Sequence, residues 1–132
     1  MKVFIVEDSE LMLEHLQFML SEIPGTVLVG HAVDENGAIE KIEALQPEVV
    51  ILDLSLQSGS GIGVLENIKR RNPALKVMVF TNFTDDFYVK RCMQAGADYF
   101  FDKSFQFMRV RAVLWQWLNN GSQDNKLASL PQ

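Results

Sequence analysis

Five polar residues in this chain each stand at the end of a short apolar run: Glu7 and Asp8 after Val3–Val6, Asp53 after Val49–Leu52, Thr81 after Val77–Phe80, and Lys103 just past Tyr99–Phe101. A carboxylate left unpaired where a buried segment surfaces is costly, so each acid must be hydrogen-bonded, paired with a cation, or chemically employed. If the runs lie side by side, the acids form an oxygen-only donor set of the kind Mg²⁺ prefers, and such a cation removes their mutual repulsion. Lys103 adds a compact positive charge and Thr81 a hydroxyl donor. A carboxylate beside them could attack phosphorus and form an acyl phosphate. That transfer needs charge neutralisation and in-line placement more than covalent machinery, so Mg²⁺ and Lys103 would supply the first and Asp53 the second.

The elements that must position these groups follow from periodicity. Val49-Val50-Ile51-Leu52 has no polar alternation, which suits a strand buried on both faces at the centre of a parallel sheet. Val3–Val6 reads as a buried strand too, Val77–Phe80 as another fully apolar one and Tyr99–Phe101 as the last strand, whereas Val27–Ala32 is less apolar, carries His31, and suits an edge. Between them lie helical stripes. Asp8 or Ser9 could cap the first, which runs through Leu11, Met12, Leu16, Met19 and Leu20 to Pro24-Gly25. Asp34 reads as the cap of a second ending before Pro47, and Ile62, Leu65 and Ile68 mark a third that follows a flexible 57–61 loop. Thr84 reads as the cap of a fourth, stopped by Gly96 after Ala95, and Ser104 as the cap of a fifth reaching about Leu118.

Strict alternation of five strands and five helices with short connections predicts an α/β domain with a mostly parallel sheet and helices on both faces. In such sheets ligands bind at the carboxyl ends of the strands. With the order 2-1-3-4-5, strands one, three, four and five are contiguous and their polar ends share one cleft.

Composition narrows the function classes. At 132 residues and 48% hydrophobic, the chain suits one domain with a core of its own. A net charge of −5 argues against a general nucleic-acid binder. The single cysteine, Cys92, excludes an internal disulfide, and with only His15 and His31 there is no soft-metal cluster; a reducing cytoplasm is the simplest setting. His15 reads as a surface residue and Cys92 as a packed thiol. No stretch resembles a signal peptide or a membrane span. Glycines 59, 61 and 63 lack the Lys-Ser or Lys-Thr of a phosphate loop and read as a loop and helix entry.

Over about residues 1–118 the chain resembles the receiver domain of bacterial two-component response regulators, on the pair Glu7-Asp8, the acceptor-like Asp53, the hydroxyl of Thr81, and Lys103 following Ala95-Gly96-Ala97-Asp98. The resemblance implies a flavodoxin-like (βα)5 sandwich. It implies that Asp53 takes phosphate from a sensor histidine kinase or a histidine phosphotransfer protein, with Glu7, Asp8, Asp53 and the backbone carbonyl of Ser55 about Mg²⁺. It also implies a switch through Thr81 and Phe100, the aromatic residue three before the lysine. Phe100 lacks a phenol hydroxyl, so the switch would rest on packing alone. Ser104 stands where many relatives have proline after the lysine and a cis peptide. The bond here is therefore trans, or a strained cis bond costing about 3 kcal/mol.

The reading is then a stand-alone phosphoacceptor switch, with residues 119–132 a polar, flexible tail too short for a helix-turn-helix domain. It is no enzyme with external turnover, beyond self-catalysed transfer to and hydrolysis from Asp53. Output would come by protein contacts, to a downstream target or a second copy through the fourth helix, fifth strand and fifth helix, without direct DNA binding. The last helix supports a surface role, since Met108, Ala112 and Trp115 form a second apolar patch beside Arg111. Two other readings compete: a docking module that is never phosphorylated, and a flavodoxin-like electron carrier. The carrier is disfavoured by Glu7-Asp8-Ser9-Glu10, which would repel a flavin phosphate.

Overall fold

The computed structural model describes residues 1–122. Strands β1 (Lys2–Val6), β2 (Val27–Ala32), β3 (Val49–Leu52), β4 (Lys76–Thr81) and β5 (Tyr99–Asp102) alternate with helices α1 (Glu10–Ser21), α2 (Glu35–Leu45), α3 (Gly61–Arg71), α4 (Asp86–Gln94) and α5 (Phe107–Ser122). The strands form one parallel sheet in the order β2-β1-β3-β4-β5, as the sequence predicts.

The apolar runs are explained by two cores. Side chains alternate across a strand, so Phe4, Val6, Val50, Leu52, Val77 and Val79 pack with Ala38, Ile42, Val64, Leu65 and Cys92 of α2, α3 and α4. Val3, Ile5, Val49, Ile51, Met78 and Phe80 pack with Leu16, Met19, Leu20, Val110 and Leu114 of α1 and α5. Each fully buried large side chain contributes roughly 1.5–3 kcal/mol. β2 is the edge expected of it, with Val27 and His31 exposed.

Cys92 lies wholly inside the first core. Burial pushes its thiol up to about 11, with Glu66 adding to the shift and Arg91 opposing it. Ellman's reagent in neutral buffer is therefore expected to modify the native protein only as fast as it unfolds, and the guanidinium-denatured protein at once. Rapid labelling of the native state would contradict this packing.

Caps follow the sequence in part. Ser9 accepts the Met12 N–H at 3.2 Å and Asp34 the Gly37 N–H at 2.7 Å. Gly96 takes the left-handed φ of 102° that ends α4. Asp85, not Thr84, stands at the start of α4, its carbonyl accepting from Tyr88 and Val89. Ser104 does not cap α5 either. Its N–H donates to Asp102 Oδ1 at 2.8 Å, and the Asp102 carbonyl accepts from Gln106 N–H at 2.9 Å, a turn that Asp forms more readily than Ser. All described peptide bonds are trans, Lys103–Ser104 included.

Leu11, expected on the inward stripe of α1, is 64% exposed, because it lies about 140° around the helix from Leu16. α5 runs on to Ser122, so residues 119–122 of the expected tail are helical; residues 123–132 lie outside the described residues. Its inner face buries Val110, Val113 and Leu114 in the second core and sets Trp117 against Tyr99 at 5.7 Å between ring centroids. Met108 and Trp115 are exposed and share a hollow with Ala112 and Arg111. Arg111 reaches Glu22 at the end of α1, at 3.1 Å, so that patch flanks α1. Among the described residues, no helix is long and apolar enough to cross a membrane.

Candidate functional site

The sheet's own hydrogen bonding carries the polar residues to one place. Glu7 N–H continues the ladder onto Ala32, Asp53 N–H onto Val6 at 2.9 Å, and Lys103 N–H onto Thr81 at 2.8 Å. The side chains therefore emerge together where four contiguous strands end, the position sheet topology reserves for ligands.

Glu7 is 2% exposed, Asp53 5% and Thr81 0%; among the described residues these are the buried polar side chains. Polar side chains this buried, gathered at one end of the sheet, are held there for a reason other than packing. Lys103 Nζ bridges the two acids, lying 2.8 Å from Glu7 Oε1 and 2.8 Å from Asp53 Oδ2. Each acid has one further anchor: Glu7 Oε2 accepts the Ser9 N–H at 3.1 Å, and Asp53 Oδ1 the Ser55 N–H at 3.3 Å. Thr81 Oγ1 accepts the Phe83 N–H at 3.2 Å.

The electrostatics are those of an acid cluster short of positive charge. Burial raises the Glu7 carboxyl above the usual carboxylate range and the charge of Asp53 adds to this, while Lys103 and the Ser9 N–H oppose it. Burial alone would lower the Lys103 ammonium, but its bonds to Asp53 and Glu7 outweigh that and hold it above an ordinary lysine. Glu7, Asp8 and Asp53 each offer an oxygen within 4.8 Å of the others. Hard, oxygen-only donors at this spacing, one held above its normal proton affinity, fit a hard divalent cation such as Mg²⁺.

Asp8, Ser9, Asp53, Ser55, Thr81, Asn82, Phe83 and Lys103 line one open cleft. Of the residues singled out from sequence, Asp8, Asp53, Ser55, Thr81 and Lys103 line it, and the buried Glu7 is bonded to Lys103 without lining it. Phe100 does not line it: half-buried on β5, it packs against the first core, as does Tyr88 of α4. Asn82 and Phe83 are additions, and their place directly after the Thr81 strand end is the signal that could have found them. Ser104 Oγ lies 3.3 Å from Asn82 Oδ1 and ties the loops after β4 and β5 together.

The structure is similar to the response regulator domain of Thermotoga maritima CheB, with a TM-score of 0.78 and 25% identity over 91% of this chain and 94% of that one. It is likewise similar to a chain of the CheX–CheY–BeF3–Mg²⁺ complex from Borrelia burgdorferi, with a TM-score of 0.75 and 25% identity over 86% of this chain and 88% of that one. In sequence it is 30% identical over 129 residues to the DNA-binding transcriptional activator DevR/DosR of Mycobacterium tuberculosis. That match takes in 97% of this chain and 59% of the relative, so the chain spans little more than half of that protein's length. The family model of the response regulator receiver domain matches residues 3–114, from the first strand to the middle of the last helix, and on that match the chain belongs to the receiver domains of two-component response regulators.

Proposed function

We propose that this chain is a phosphoacceptor switch and that Asp53 is the residue phosphorylated. The observation that carries this is the cation-deficient cluster at the strand ends: three acids with oxygens within 4.8 Å and a lysine 2.8 Å from the buried Asp53. Phosphorylation and magnesium are general properties of the family.

Glu7, Asp8, Asp53 and the Ser55 carbonyl would hold Mg²⁺. When bound, it supplies charge neutralisation for the carboxylates and the incoming phosphoryl oxygens. The protein's own part is positional. Asp53 Oδ forms the new O–P bond as the P–N bond to the donor histidine breaks, and the imidazole leaves with the electron pair of that bond. Lys103, freed from sharing its charge with two carboxylates, compensates a phosphoryl oxygen, and Thr81 offers its hydroxyl to another. The Ser55 N–H, the second anchor of Asp53 at 3.3 Å, orients the carboxylate for attack.

The donor is a sensor histidine kinase or a histidine phosphotransfer protein, and the setting is the cytoplasm. The receiver unit covers about residues 1–118. Its output is a change in protein contacts through α4, β5 and α5, to a downstream target or a second copy. DNA contact is disfavoured by the chain's net charge of −5. Thr81 couples the site to that surface, because turning its hydroxyl toward a phosphoryl group breaks the bond from Phe83, whose ring stacks on Tyr88 at 5.5 Å. Phe100, packed against the first core, would respond by rotamer alone.

The test is intact-mass analysis after incubation with acetyl phosphate and Mg²⁺. Wild type is expected to gain one phosphoryl group and Asp53→Asn none. Absence of an adduct in wild type, with no Mg²⁺-dependent beryllofluoride binding, would remove the proposal.

A further inference from the structure

Glycines 59, 61 and 63 match no phosphate loop, yet two of them are shaped around one side chain from another element. A Cβ at Gly59, which has a φ of +77°, would lie 2.5 Å from both Cβ and Oε1 of Glu35; one at Gly63 would lie 2.3 Å from Glu35 Oε2. Glu35, the first residue of α2, is therefore seated between them. Its Oε1 accepts the Ser60 N–H at 2.9 Å, and its own N–H donates to the Ser58 carbonyl at 3.0 Å. Gln57 N–H donates to the Val33 carbonyl beside it, also at 3.0 Å. The 57–61 loop, predicted to be flexible, is thus laced to the start of α2 over residues 57–60, and Gly61 already opens α3.

The lacing reaches the acceptor through one short hairpin. Ser60 pairs with Ser55 in an antiparallel bridge, and Gly61 N–H closes onto the Leu54 carbonyl at 3.0 Å. Ser55 is the residue whose N–H holds Asp53 Oδ1. Glu35 also supplies what α3 lacks, since α3 has no acid in its own first turn and a carboxylate at a helix N-terminus is stabilising. Ser60 completes that end by accepting the Gly63 N–H at 3.1 Å.

We propose that Glu35 is a positioning residue for the acceptor site, holding Ser55 in place through Ser60; this rests on the reading of Asp53 and Ser55 as phosphoacceptor and metal-site residues. Groups that orient metal ligands from behind typically govern affinity by 10–100-fold. The bond from Ser60 needs an acceptor oxygen and not a charge, and a glutamine amide has one.

The experiment is Mg²⁺ titration calorimetry on the full chain, with amide hydrogen exchange at Ser55 and Ser60. Glu35→Ala is expected to weaken Mg²⁺ by about tenfold and to speed exchange at both amides, whereas Glu35→Gln should stay within about twofold of wild type. Gly63→Ala is the second variant. Its methyl group displaces only the tip of the Glu35 side chain, so it should reproduce the Glu35→Ala loss although alanine favours the helix. Wild-type affinity and exchange in Glu35→Ala, or equal weakening in the Gln and Ala variants, would overturn the proposal. Should wild type itself bind no Mg²⁺, the phosphoacceptor reading fails, and the exchange data alone decide whether Glu35 fixes Ser55.

Discussion

Lys103→Met is expected to destabilise the metal-free protein by about 3 kcal/mol at neutral pH, read from the urea midpoint at unchanged slope. Lys103 is the cation bonded to both buried acids, at 2.8 Å from each. Methionine keeps the stem packed but leaves Glu7 and Asp53 facing each other without compensation. The cost sits at the low end for a broken buried pair, because Glu7 can escape by taking up a proton. Its carboxyl is already raised by burial and by Asp53, and loss of the lysine removes the largest opposing influence.

The pH dependence follows from the same bonds. A lysine held above its ordinary value stabilises the fold fully below that ordinary value, and the contribution is lost as pH rises through the higher, folded-state value. The methionine variant lacks this alkaline loss. Glu7 has the opposite consequence at the acid end: the folded state binds its proton more tightly than the unfolded chain, so its contribution improves as pH falls through the raised value toward the usual carboxylate range. The gap between wild type and variant should therefore narrow toward acid, where no carboxylate charge remains to be left unpaired. Saturating Mg²⁺ at neutral pH should narrow it too, because a divalent cation takes over the compensation. A variant as stable as wild type without metal at neutral pH would show that Lys103 carries no such load.

Why Lys103 was legible and Glu35 was not is a matter of how each announces itself. Lys103 follows a buried strand, as do Asp53, Thr81 and the Glu7-Asp8 pair. In a parallel sheet covered on both faces, apolar runs mark the strands, and whatever ends them is delivered to one edge. The strand order then places those ends together without any knowledge of side-chain contacts. Glu35 sits at an ordinary helix start, 25 residues from Ser60, and its partners are a backbone N–H and two absent Cβ atoms. Neither leaves a trace in periodicity. The same limit applies to Ser104 and Thr84, which are good caps by residue type. Asp85 opens α4 with no side-chain capping bond, and Asp102 Oδ1 holds the Ser104 N–H before α5 begins, so residue type alone did not mark either helix start. The second apolar patch of α5 was visible as a patch, but a helical wheel carries no neighbours. Only the Arg111–Glu22 contact shows that it flanks α1.

Gly61→Ala is expected to have the largest effect of any single-methyl change near the site. A Cβ there would lie 2.1 Å from the Asp53 carbonyl oxygen and 2.6 Å from Leu54 Cα. Both are backbone atoms, so no rotamer relieves the contact and the strand end itself must move. Overpacking of this kind costs about 1–3 kcal/mol. The functional cost should be larger, since shifting a reacting group by about 1 Å lowers rates on the order of 100-fold, and the peptide displaced is that of the acceptor. Gly30→Ala is the control. Its Cβ would meet Leu45 Cδ1 at 2.9 Å and the Phe4 ring at 3.1 Å, the former the tip of a partly exposed side chain that can turn away. It should lose less stability and keep the wild-type rate of acetyl phosphate labelling. If Gly61→Ala labelled at that rate as well, the turn after β3 would have to yield without carrying Asp53 with it. The Gly61 N–H bond to Leu54 and the Asp53 N–H bond to Val6 oppose that motion, because they hold the two sides of the same turn.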